Sequence, residues 1–242
     1  MVNAGAALPQ RSSVARPRAM LAALAHVRNW VFDLDNTLYP ASADLFGLID
    51  KRMTAFIQNL LALDWDAAWA LQKDYFHAHG TTLSGLMAEH GVEPHTFLDY
   101  VHDIEMDALS EDKRLVEAVA RLPGRKLIFT NGDEAYARRV LARLGLGESF
   151  EAIHDIHACA YTPKPHPDAY RAMAKAFAID PSESLFVEDM ARNLKPAKAI
   201  GMTTVWVNNG SEQGREPDDR AYVDYEVTDL GAWLHAIQGE PT

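Results

Sequence analysis

The sequence predicts an α/β fold, in which a doubly wound parallel sheet carries an all-helical segment inserted after its first strand. Short apolar runs that end in polar residues and are followed by helical patterns recur along the chain, as at 30–35, 126–133 and 185–189. Repeated strand-then-helix units are typical of a parallel sheet covered on both faces. Residues 40–123 follow the helical period instead. With 242 residues, of which 48% are hydrophobic, the chain can bury a full core.

Composition and charge narrow the function classes. A single cysteine, Cys159, excludes an intramolecular disulfide framework and favours a reducing compartment, so the cytoplasm is the expected location. No apolar stretch approaches the length of a membrane span. The formal net charge of -11 argues against non-specific binding to nucleic acid or to anionic membranes. A small anionic substrate is compatible with this charge where a cation neutralises the site.

The first strand follows a segment of different composition. Residues 1–28 contain several arginines and much alanine but no acidic residue. Transit peptides and frayed extensions share this composition, and we interpret the segment as a flexible extension. Residues 30–32 then predict a buried strand that ends in Asp33 and Asp35. Two acids one residue apart at a strand end indicate either a ligand-binding edge or a solvated acidic turn.

The inserted segment, residues 40–123, begins with four predicted helices. The first carries apolar residues on one face between 45 and 56, and the second begins at its N-cap Asp64 and ends at Gly80. The third follows directly, and the fourth has Pro94 in its first turn. We interpret the aromatic stripe of the second helix as bundle core rather than as a ligand site: Trp65, Trp69 and Phe76.

From residue 110 onward, predicted helices and strands alternate. The predicted strands are at 126–129, 151–156, 185–187, 203–207 and 222–227. The predicted helices are at 111–122, 134–144, 170–177, 193–200 and 230–237. Ser110 is the expected N-cap of the first of these helices, and the polar segment 208–220 predicts a mobile surface loop.

Polar residues at four predicted strand ends indicate a common site. They are Asp33 with Asp35, Thr130 with Asn131, Lys164, and Glu188 with Asp189. Because the carboxyl ends of parallel strands meet at one edge, these groups are expected to lie together. Clustered carboxylates repel one another unless a cation lies among them, and a hard oxygen-ligand cluster suits Mg²⁺. A carboxylate nucleophile, a metal, an acid/base and fixed donors such as the Thr130 hydroxyl are the components of phosphoryl transfer.

Four ordered motifs resemble those of the haloacid dehalogenase (HAD) superfamily of phosphohydrolases. They are Asp-Leu-Asp-Asn-Thr-Leu at 33–38, Phe-Thr-Asn-Gly at 129–132, Lys164-Pro165, and Glu188-Asp189 followed by Asn193. The resemblance covers about residues 29–237. It implies a Rossmann-like core formed by residues 29–39 and 124–242, with residues 40–123 as a helical cap over the site.

The resemblance also implies a role for each matched residue. Asp33 would be the nucleophile that forms an aspartyl-phosphate, and Asp35 the acid that protonates the leaving group and then activates water. Thr130 and Asn131 would hold the phosphoryl group. Lys164 would neutralise charge on the nucleophile and on the phosphoryl group.

The same resemblance implies a Mg²⁺ site. Asp33, Asp189 and the backbone carbonyl of Asp35 would bind the ion, and Glu188 would hold a water molecule bound to it. Asn193 stands where many members have a second Asp, which makes that contact weaker or purely structural.

Asp35 and the cap narrow the reaction and the substrate. Dehalogenating members do not keep an Asp at this place, whereas phosphatases need a proton donor for an alkoxide leaving group.

Cap residues 75–87 and 100–104 are similar to the pyrimidine 5′-nucleotidase branch, which implies nucleoside monophosphates such as UMP or CMP as substrates. The candidate substrate contacts are His79, Thr81 and Thr82. A helix stop at Gly80 followed by an N-cap explains this segment equally well.

Three other functions stay open. A sugar-phosphate phosphatase or a phosphomutase would use the same fold. A non-catalytic binding module is disfavoured, because it would not need the intact acid pair and lysine.

The residues His154, His157, Cys159 and His166 match no familiar zinc spacing, so we interpret them as ordinary core or surface residues. The pair Arg138-Arg139 is interpreted as a solvated helix face rather than a phosphate clamp.

Overall fold

The predicted parallel sheet is present in the computed structural model, which describes residues 23–210 and 219–239. The strands are β1 (Asn29–Phe32), β2 (Arg125–Phe129), β3 (Ala152–His154), β4 (Ser184–Glu188), β5 (Thr203–Val207) and β6 (Tyr225–Val227). In the described residues they form one six-stranded sheet in the order β3-β2-β1-β4-β5-β6, with all neighbours parallel. The first strand of the chain therefore lies in the middle of the sheet.

The helices fall into two groups. Four helices follow β1 and pack together: α1 (Leu45–Leu61), α2 (Trp65–His79), α3 (Thr82–His90) and α4 (Pro94–His102). The others are α5 (Lys113–Ala120), α6 (Glu134–Arg143), α7 (Pro167–Phe177), α8 (Ala191–Ala199) and α9 (Leu230–Ile237). At the start of α2, the predicted N-cap Asp64 accepts the N–H of Ala67 at 2.8 Å. In the described part of the chain, no helix has the length and apolar character needed to cross a membrane.

Both faces of the sheet are covered by helices. Successive side chains of a strand point to opposite faces, so neighbouring residues of β1 show what covers each face. Phe32 belongs to a buried cluster with Val140 of α6 and Leu234 of α9. Its neighbour Val31 belongs to a second buried cluster with Tyr170 of α7. The sheet is therefore doubly wound, as predicted, and its central strands are buried on both sides.

The helix α5 lies within the predicted cap, residues 40–123, but it packs beside α9. His235 Nε2 lies 3.0 Å from the carbonyl oxygen of Arg114, and Gln238 Nε2 donates to the carbonyl of Ala118 at 2.7 Å. The contact partner of α5 comes more than one hundred residues later in the chain, so local periodicity could not assign it. The name cap is kept for α1–α4, and its place over the site stays a prediction.

Residues 23–28 belong to the core and not to the predicted extension at 1–28. Leu24 and Val27 are both buried and join the cluster that contains Phe32. Burying two apolar side chains stabilises this segment against the sheet. Residues 1–22 lie outside the described residues.

Two further boundaries differ from the prediction. The N-cap of α5 is Asp112 and not Ser110, since Asp112 Oδ1 accepts the N–H of Arg114 at 3.0 Å. β6 begins later than predicted because a short 3-10 turn, Arg220–Tyr222, precedes it. Residues 211–218 of the predicted surface loop lie outside the described residues.

The aromatic stripe of α2 is not bundle core. Trp65 and Trp69 are 42% and 48% exposed. The buried residues of this helix are Ala68, Gln72 and Tyr75. Gln72 can be buried because Thr54 Oγ1 donates to its Oε1 at 2.5 Å and its Nε2 donates to Asp50 Oδ1 at 2.6 Å. The helical period was predicted correctly, but the polar residue on its inner face concealed which face is buried.

Candidate active site

Asp33 lies at the carboxyl end of β1, in the middle of the sheet edge. Its N–H donates to the carbonyl of Val187 at 2.9 Å, which extends the pairing of β1 with β4 by one residue. Asp33 is only 6% exposed. Its Oδ1 accepts a hydrogen bond from Lys164 Nζ at 2.7 Å, and its Oδ2 accepts one from Thr37 Oγ1 at 2.8 Å. Both oxygens are held, so the orientation of the carboxylate is fixed.

Lys164 is buried and uses all three of its ammonium hydrogens. Besides Asp33, Nζ donates to Glu188 Oε2 at 2.8 Å and to the carbonyl of Phe129 at 3.0 Å. Burial alone lowers the pKa of Lys164, but the nearby Asp33 and Glu188 carboxylates raise it by more. The pKa therefore lies above its ordinary value. Lys164 therefore stays charged and offsets part of the negative charge around it.

Three buried carboxylates lie within reach of a single cation. Asp33, Glu188 and Asp189 each offer an oxygen within 4.8 Å of the others. Burial, and then the charge of Glu188, raise the pKa of Asp33 to about 7 and raise the pKa of Asp189 well above its usual value. Asp189 Oδ2 is buried and has no hydrogen-bond partner among the described residues. This cluster of hard oxygen ligands, whose charge is partly balanced by Lys164, fits Mg²⁺.

Asp35 has different surroundings. It is half-buried, and its Oδ1 accepts hydrogen bonds from Tyr39 Oη at 2.7 Å and Tyr136 Oη at 2.6 Å. Burial and the charge of Asp35 raise the pKa of both phenols, so they remain donors. The side chain of Asp35 is not one of the three clustered carboxylates. Metal binding by its backbone carbonyl stays a prediction.

Sequence reasoning assigned no role to Thr37 or Tyr136. Thr37 Oγ1 donates to Asp33 and accepts the N–H of Asp189 at 3.1 Å, so it joins the end of β1 to the end of β4. The four-residue spacing between Asp33 and Thr37 was a usable signal. Tyr136 lies 101 residues after Asp35, and no spacing could have predicted their contact.

Thr130 and Asn131 follow β2. Thr130 is buried, and its Oγ1 accepts the N–H of Gly132 at 3.0 Å, which leaves the hydroxyl hydrogen to be donated. The Asn131 amide forms two bonds to the backbone of Lys164: Oδ1 accepts its N–H at 2.8 Å, and Nδ2 donates to its carbonyl at 3.2 Å. Asn131 thus fastens the segment that carries the lysine, and its contact with a phosphoryl group stays a prediction.

The candidate substrate residues of the cap lie at the turn between α2 and α3. Gly80 ends α2 with a φ of 84°, and Thr81 is the N-cap of α3, where Oγ1 accepts the N–H of Ser84 at 3.1 Å. The helix stop and N-cap therefore account for this pair. A Cβ on Gly80 would lie 3.9 Å from Pro163, so the turn faces the segment before Lys164.

His79 and Thr82 differ in exposure. Thr82 is buried, whereas His79 is half-buried with Nε2 3.7 Å from Glu89 Oε1. The predicted substrate contacts of these residues and of Thr81 stay predictions.

α8 carries two further residues at the border of the site. Asn193 is buried, its carbonyl accepts from Tyr170 Oη at 2.5 Å, and its Oδ1 has no partner among the described residues. Arg192 places its guanidinium carbon 4.6 Å from the centre of the Phe76 ring on α2. This cation–π contact joins the cap to the core.

The residues considered for zinc do not cluster. Among the described residues, the only group of acids, histidines or cysteines that could hold a metal is the carboxylate trio. His157 stacks on His95 at 4.3 Å between ring centres, and His166 accepts the N–H of Asp168 at the start of α7. Cys159 is buried, which raises the pKa of its thiol to about 12. His154 is buried on β3.

The two arginines of α6 have different partners. Arg138 pairs with Glu134 one turn earlier at 2.5 Å, as a solvated helix face does. Arg139 instead donates to the carbonyls of His102 and Ile104, both at 2.9 Å. Both arginines are exposed, as a solvated helix face requires, and Arg139 also binds the chain that follows α4.

The sequence is similar to a family of hydrolases and to individual proteins of known name. The sequence profile of the haloacid dehalogenase-like hydrolases matches residues 27–201. Phosphate metabolism protein 8 of Saccharomyces cerevisiae is 26% identical over 188 residues, which are 71% of this chain and 58% of that protein. Glyceraldehyde 3-phosphate phosphatase of Pyrococcus furiosus is 31% identical over 114 residues, 47% of each chain. The matched regions thus span about half the length of these two relatives.

Among solved structures, a HAD phosphatase from Thermococcus onnurineus has a TM-score of 0.60 at 19% identity, with 88% of this chain and 98% of that chain covered. At such identity the likeness concerns the fold. The profile match covers well over half of the chain and includes the ends of β1, β2 and β4, where the site residues lie. The chain belongs to the haloacid dehalogenase-like hydrolase family.

Proposed function

We propose that the protein is a Mg²⁺-dependent phosphomonoesterase that works through an aspartyl-phosphate on Asp33. The observation that carries this proposal is the fixed, buried Asp33 carboxylate between Lys164 and Thr37, beside two further acids. The names of the related proteins support a phosphatase, and Asp35 supports phosphate esters over halogenated acids.

The proposed chemistry uses groups already in place. An oxygen of Asp33 attacks phosphorus, the ester P–O bond breaks, and the leaving oxygen takes a proton from Asp35. Water then returns a proton to Asp35 and attacks phosphorus, which breaks the aspartyl-phosphate and releases inorganic phosphate. Lys164 offsets negative charge, and Thr130 donates its hydroxyl hydrogen to a phosphoryl oxygen.

We assign the metal to Asp33, Asp189 and the backbone carbonyl of Asp35, with Glu188 holding a bound water. When bound, Mg²⁺ supplies positive charge against the phosphoryl group. Glu188 also accepts a hydrogen bond from Lys164, so it orients the lysine as well.

The proposed substrate is a pyrimidine nucleoside monophosphate. Support comes from the similarity of cap residues 75–87 and 100–104 to the pyrimidine 5′-nucleotidase branch. The second candidate is a small sugar or triose phosphate, which the glyceraldehyde 3-phosphate phosphatase relatives favour. The single, buried Cys159 supports a reducing compartment, and the cytoplasm is part of this proposal.

Phosphate release from UMP, CMP, glyceraldehyde 3-phosphate and hexose phosphates, with Mg²⁺ and with EDTA, tests the proposal. We expect release from UMP and CMP that EDTA abolishes, and none from the Asp33→Asn variant. Faster release from a sugar phosphate would transfer the assignment to the second candidate. Transfer of phosphate to a sugar without release would indicate a mutase. Inactivity toward every ester would refute the proposal that the protein is a phosphatase.

A further inference from the structure

Two buried tyrosines converge on one oxygen of Asp35. Tyr39 and Tyr136 are 4% and 1% exposed, and both hydroxyls donate to Oδ1, at 2.7 and 2.6 Å. They come from different parts of the fold, since Tyr39 follows β1 and Tyr136 lies in the first turn of α6. Two donors on one atom are unusual for a carboxylate that only faces solvent.

The arrangement distinguishes the two oxygens of Asp35. A carboxylate oxygen has about two lone-pair sites, and both sites of Oδ1 are used by the tyrosines. A proton carried by Asp35 therefore belongs on Oδ2. Since Oδ1 is tied on two sides, rotation of the carboxylate that would exchange the two oxygens breaks both bonds.

We propose that Tyr39 and Tyr136 are positioning residues, which hold Asp35 so that Oδ2 presents its proton to the oxygen of the leaving group. This inference rests on the proposed function, because it needs Asp35 to be the proton donor. The tyrosines do not touch the phosphate ester in this proposal. They act through Asp35 alone.

The ring of Tyr136 is itself held in place. It stacks on the ring of His102, the last residue of α4, at 4.2 Å between centres and 13° between planes. His102 Nδ1 lies 2.5 Å from Asp133 Oδ2, and Asp133 also accepts the N–H of Tyr136. A Cβ on Gly132 would lie 3.2 Å from Cδ1 of Tyr136, so the backbone of Gly132 also lies close to this ring.

These contacts lie at the two junctions between cap and core. Tyr39 stands where the chain enters the cap, and His102 stands where α4 leaves it. The position of the proton donor is thus tied to both connections of the cap. A cap that moved at either connection would alter the bonds to Asp35 Oδ1.

The test compares leaving groups that need a proton with leaving groups that do not. Tyr39→Phe and Tyr136→Phe keep the rings and remove only the hydroxyls. With enzyme in excess and Mg²⁺ present, the first release of the leaving group is measured for esters from nitrophenyl to alkyl phosphates. We expect alkyl esters to react about tenfold more slowly in each variant, within the ~10²-fold or more that a positioned acid contributes, and nitrophenyl esters to be nearly unaffected.

Tyr170→Phe is the matched control, because it removes another buried tyrosine hydroxyl close to the site, one that donates to Asn193. Any loss in this variant should be equal for all esters. Equal losses across the series in the Tyr39 and Tyr136 variants, or no losses, would overturn the inference. Near-ultraviolet circular dichroism checks that each variant keeps its packing.

Asp35→Asn separates the inference from the proposed function. Its losses should grow most steeply from nitrophenyl to alkyl esters. If they do, and the tyrosine variants lose activity uniformly, the positioning role alone is refuted. If Asp35→Asn leaves the dependence on the leaving group unchanged, the assignment of Asp35 as proton donor fails and takes the inference with it.

Discussion

Asp33 and Asp35 are separated by one residue, yet their neighbours differ in kind. Asp33 is buried against an ammonium group and two other carboxylates, whereas Asp35 is half-buried under two phenols. A nucleophile needs a fixed, unprotonated oxygen, and a proton carrier needs one oxygen free to gain and lose hydrogen. Carboxylates whose surroundings differ in this way are suited to different roles.

Lys164 is expected to support the fold as well as the chemistry. In Lys164→Met, Asp33 and Glu188 lose their buried partner, so the free energy of unfolding at neutral pH without Mg²⁺ should fall by about 3–5 kcal/mol. The control is Lys198→Met, whose partially exposed pair with Asp224 should be worth less than about 1 kcal/mol. Urea unfolding measures both. Equal, small losses would contradict the ion-pair argument.

Thr37 is expected to matter through its hydroxyl. Thr37→Val removes the bond to Asp33 and the acceptor for the N–H of Asp189, while it keeps the shape of the side chain. A hydrogen bond to a charged group contributes about 1.5–3 kcal/mol, so kcat/KM should fall roughly tenfold to hundredfold. Thr37→Ser keeps the hydroxyl and should retain most activity. Similar kinetics for the valine and serine variants would rule out this role.

At the scale of elements, the sheet brings the site residues to one edge, and the cap contacts the core at this edge. β1 lies between β2 and β4, so the residues that follow these three strands meet at the centre of one edge. The cap contacts this edge through Phe76 below Arg192 and through the turn at Gly80 beside Pro163. The cap is thus tied to the core at the edge of the sheet where Asp33 lies.

The sequence was sufficient to predict those strands and helices that are determined by residues close together in the chain. Apolar runs that end in acids predicted β1 and β4, and the rule that parallel strands end at one edge predicted that the polar side chains lie together. Long-range packing decided the rest: α5 pairs with α9, and Tyr136 reaches Asp35 across the fold. The buried face of α2 was mispredicted because Gln72 is a polar residue whose partners lie on another helix.

The close contact between α2 and α3 makes a prediction that helix propensity contradicts. Gly85 lies inside α3, where alanine would normally add about 1 kcal/mol of stability. A Cβ at this position would lie 2.5 Å from Cβ of Tyr75, so Gly85→Ala should instead destabilise the protein by about 1–3 kcal/mol. Trp69→Gln, on the exposed face of α2, should change stability by less than about 1 kcal/mol, because Trp69 is half exposed and its ring contacts Lys73. Thermal unfolding distinguishes these outcomes, and a more stable Gly85→Ala variant would contradict the packing.

For the whole molecule, the important feature is that several charged groups are buried together at the site. The chain has a formal net charge of -11, and three of its carboxylates share the site with one lysine. Burial of like charges opposes folding unless protons or a cation compensate them. Stability, metal binding and pH are therefore linked through this site.

The linkage predicts how Mg²⁺ stabilises the protein as pH changes. The pKa of Asp33 rises from 3.8 to about 7 on folding without metal, so the folded state binds this proton more tightly. That contribution to stability is present at low pH and is lost as pH rises from about 4 through about 7. Mg²⁺ needs the unprotonated carboxylates, so the rise in Tm that it causes should be larger at pH 8 than at pH 6.

His154 must be separated from this effect, because burial lowers its pKa and makes its contribution change in the opposite direction. A lowered histidine pKa destabilises the fold as pH falls, whether or not metal is present. The difference between the Tm with Mg²⁺ and the Tm without it removes the contribution of His154, which is the same in both. The contribution of the carboxylates at the site remains in this difference. In Asp33→Asn the difference should be smaller and less dependent on pH, because one of the three carboxylates is gone. An equal Mg²⁺ effect at both pH values in the unmodified protein would mean that Asp33 is already ionised at pH 6, and the electrostatic account of the site would fail.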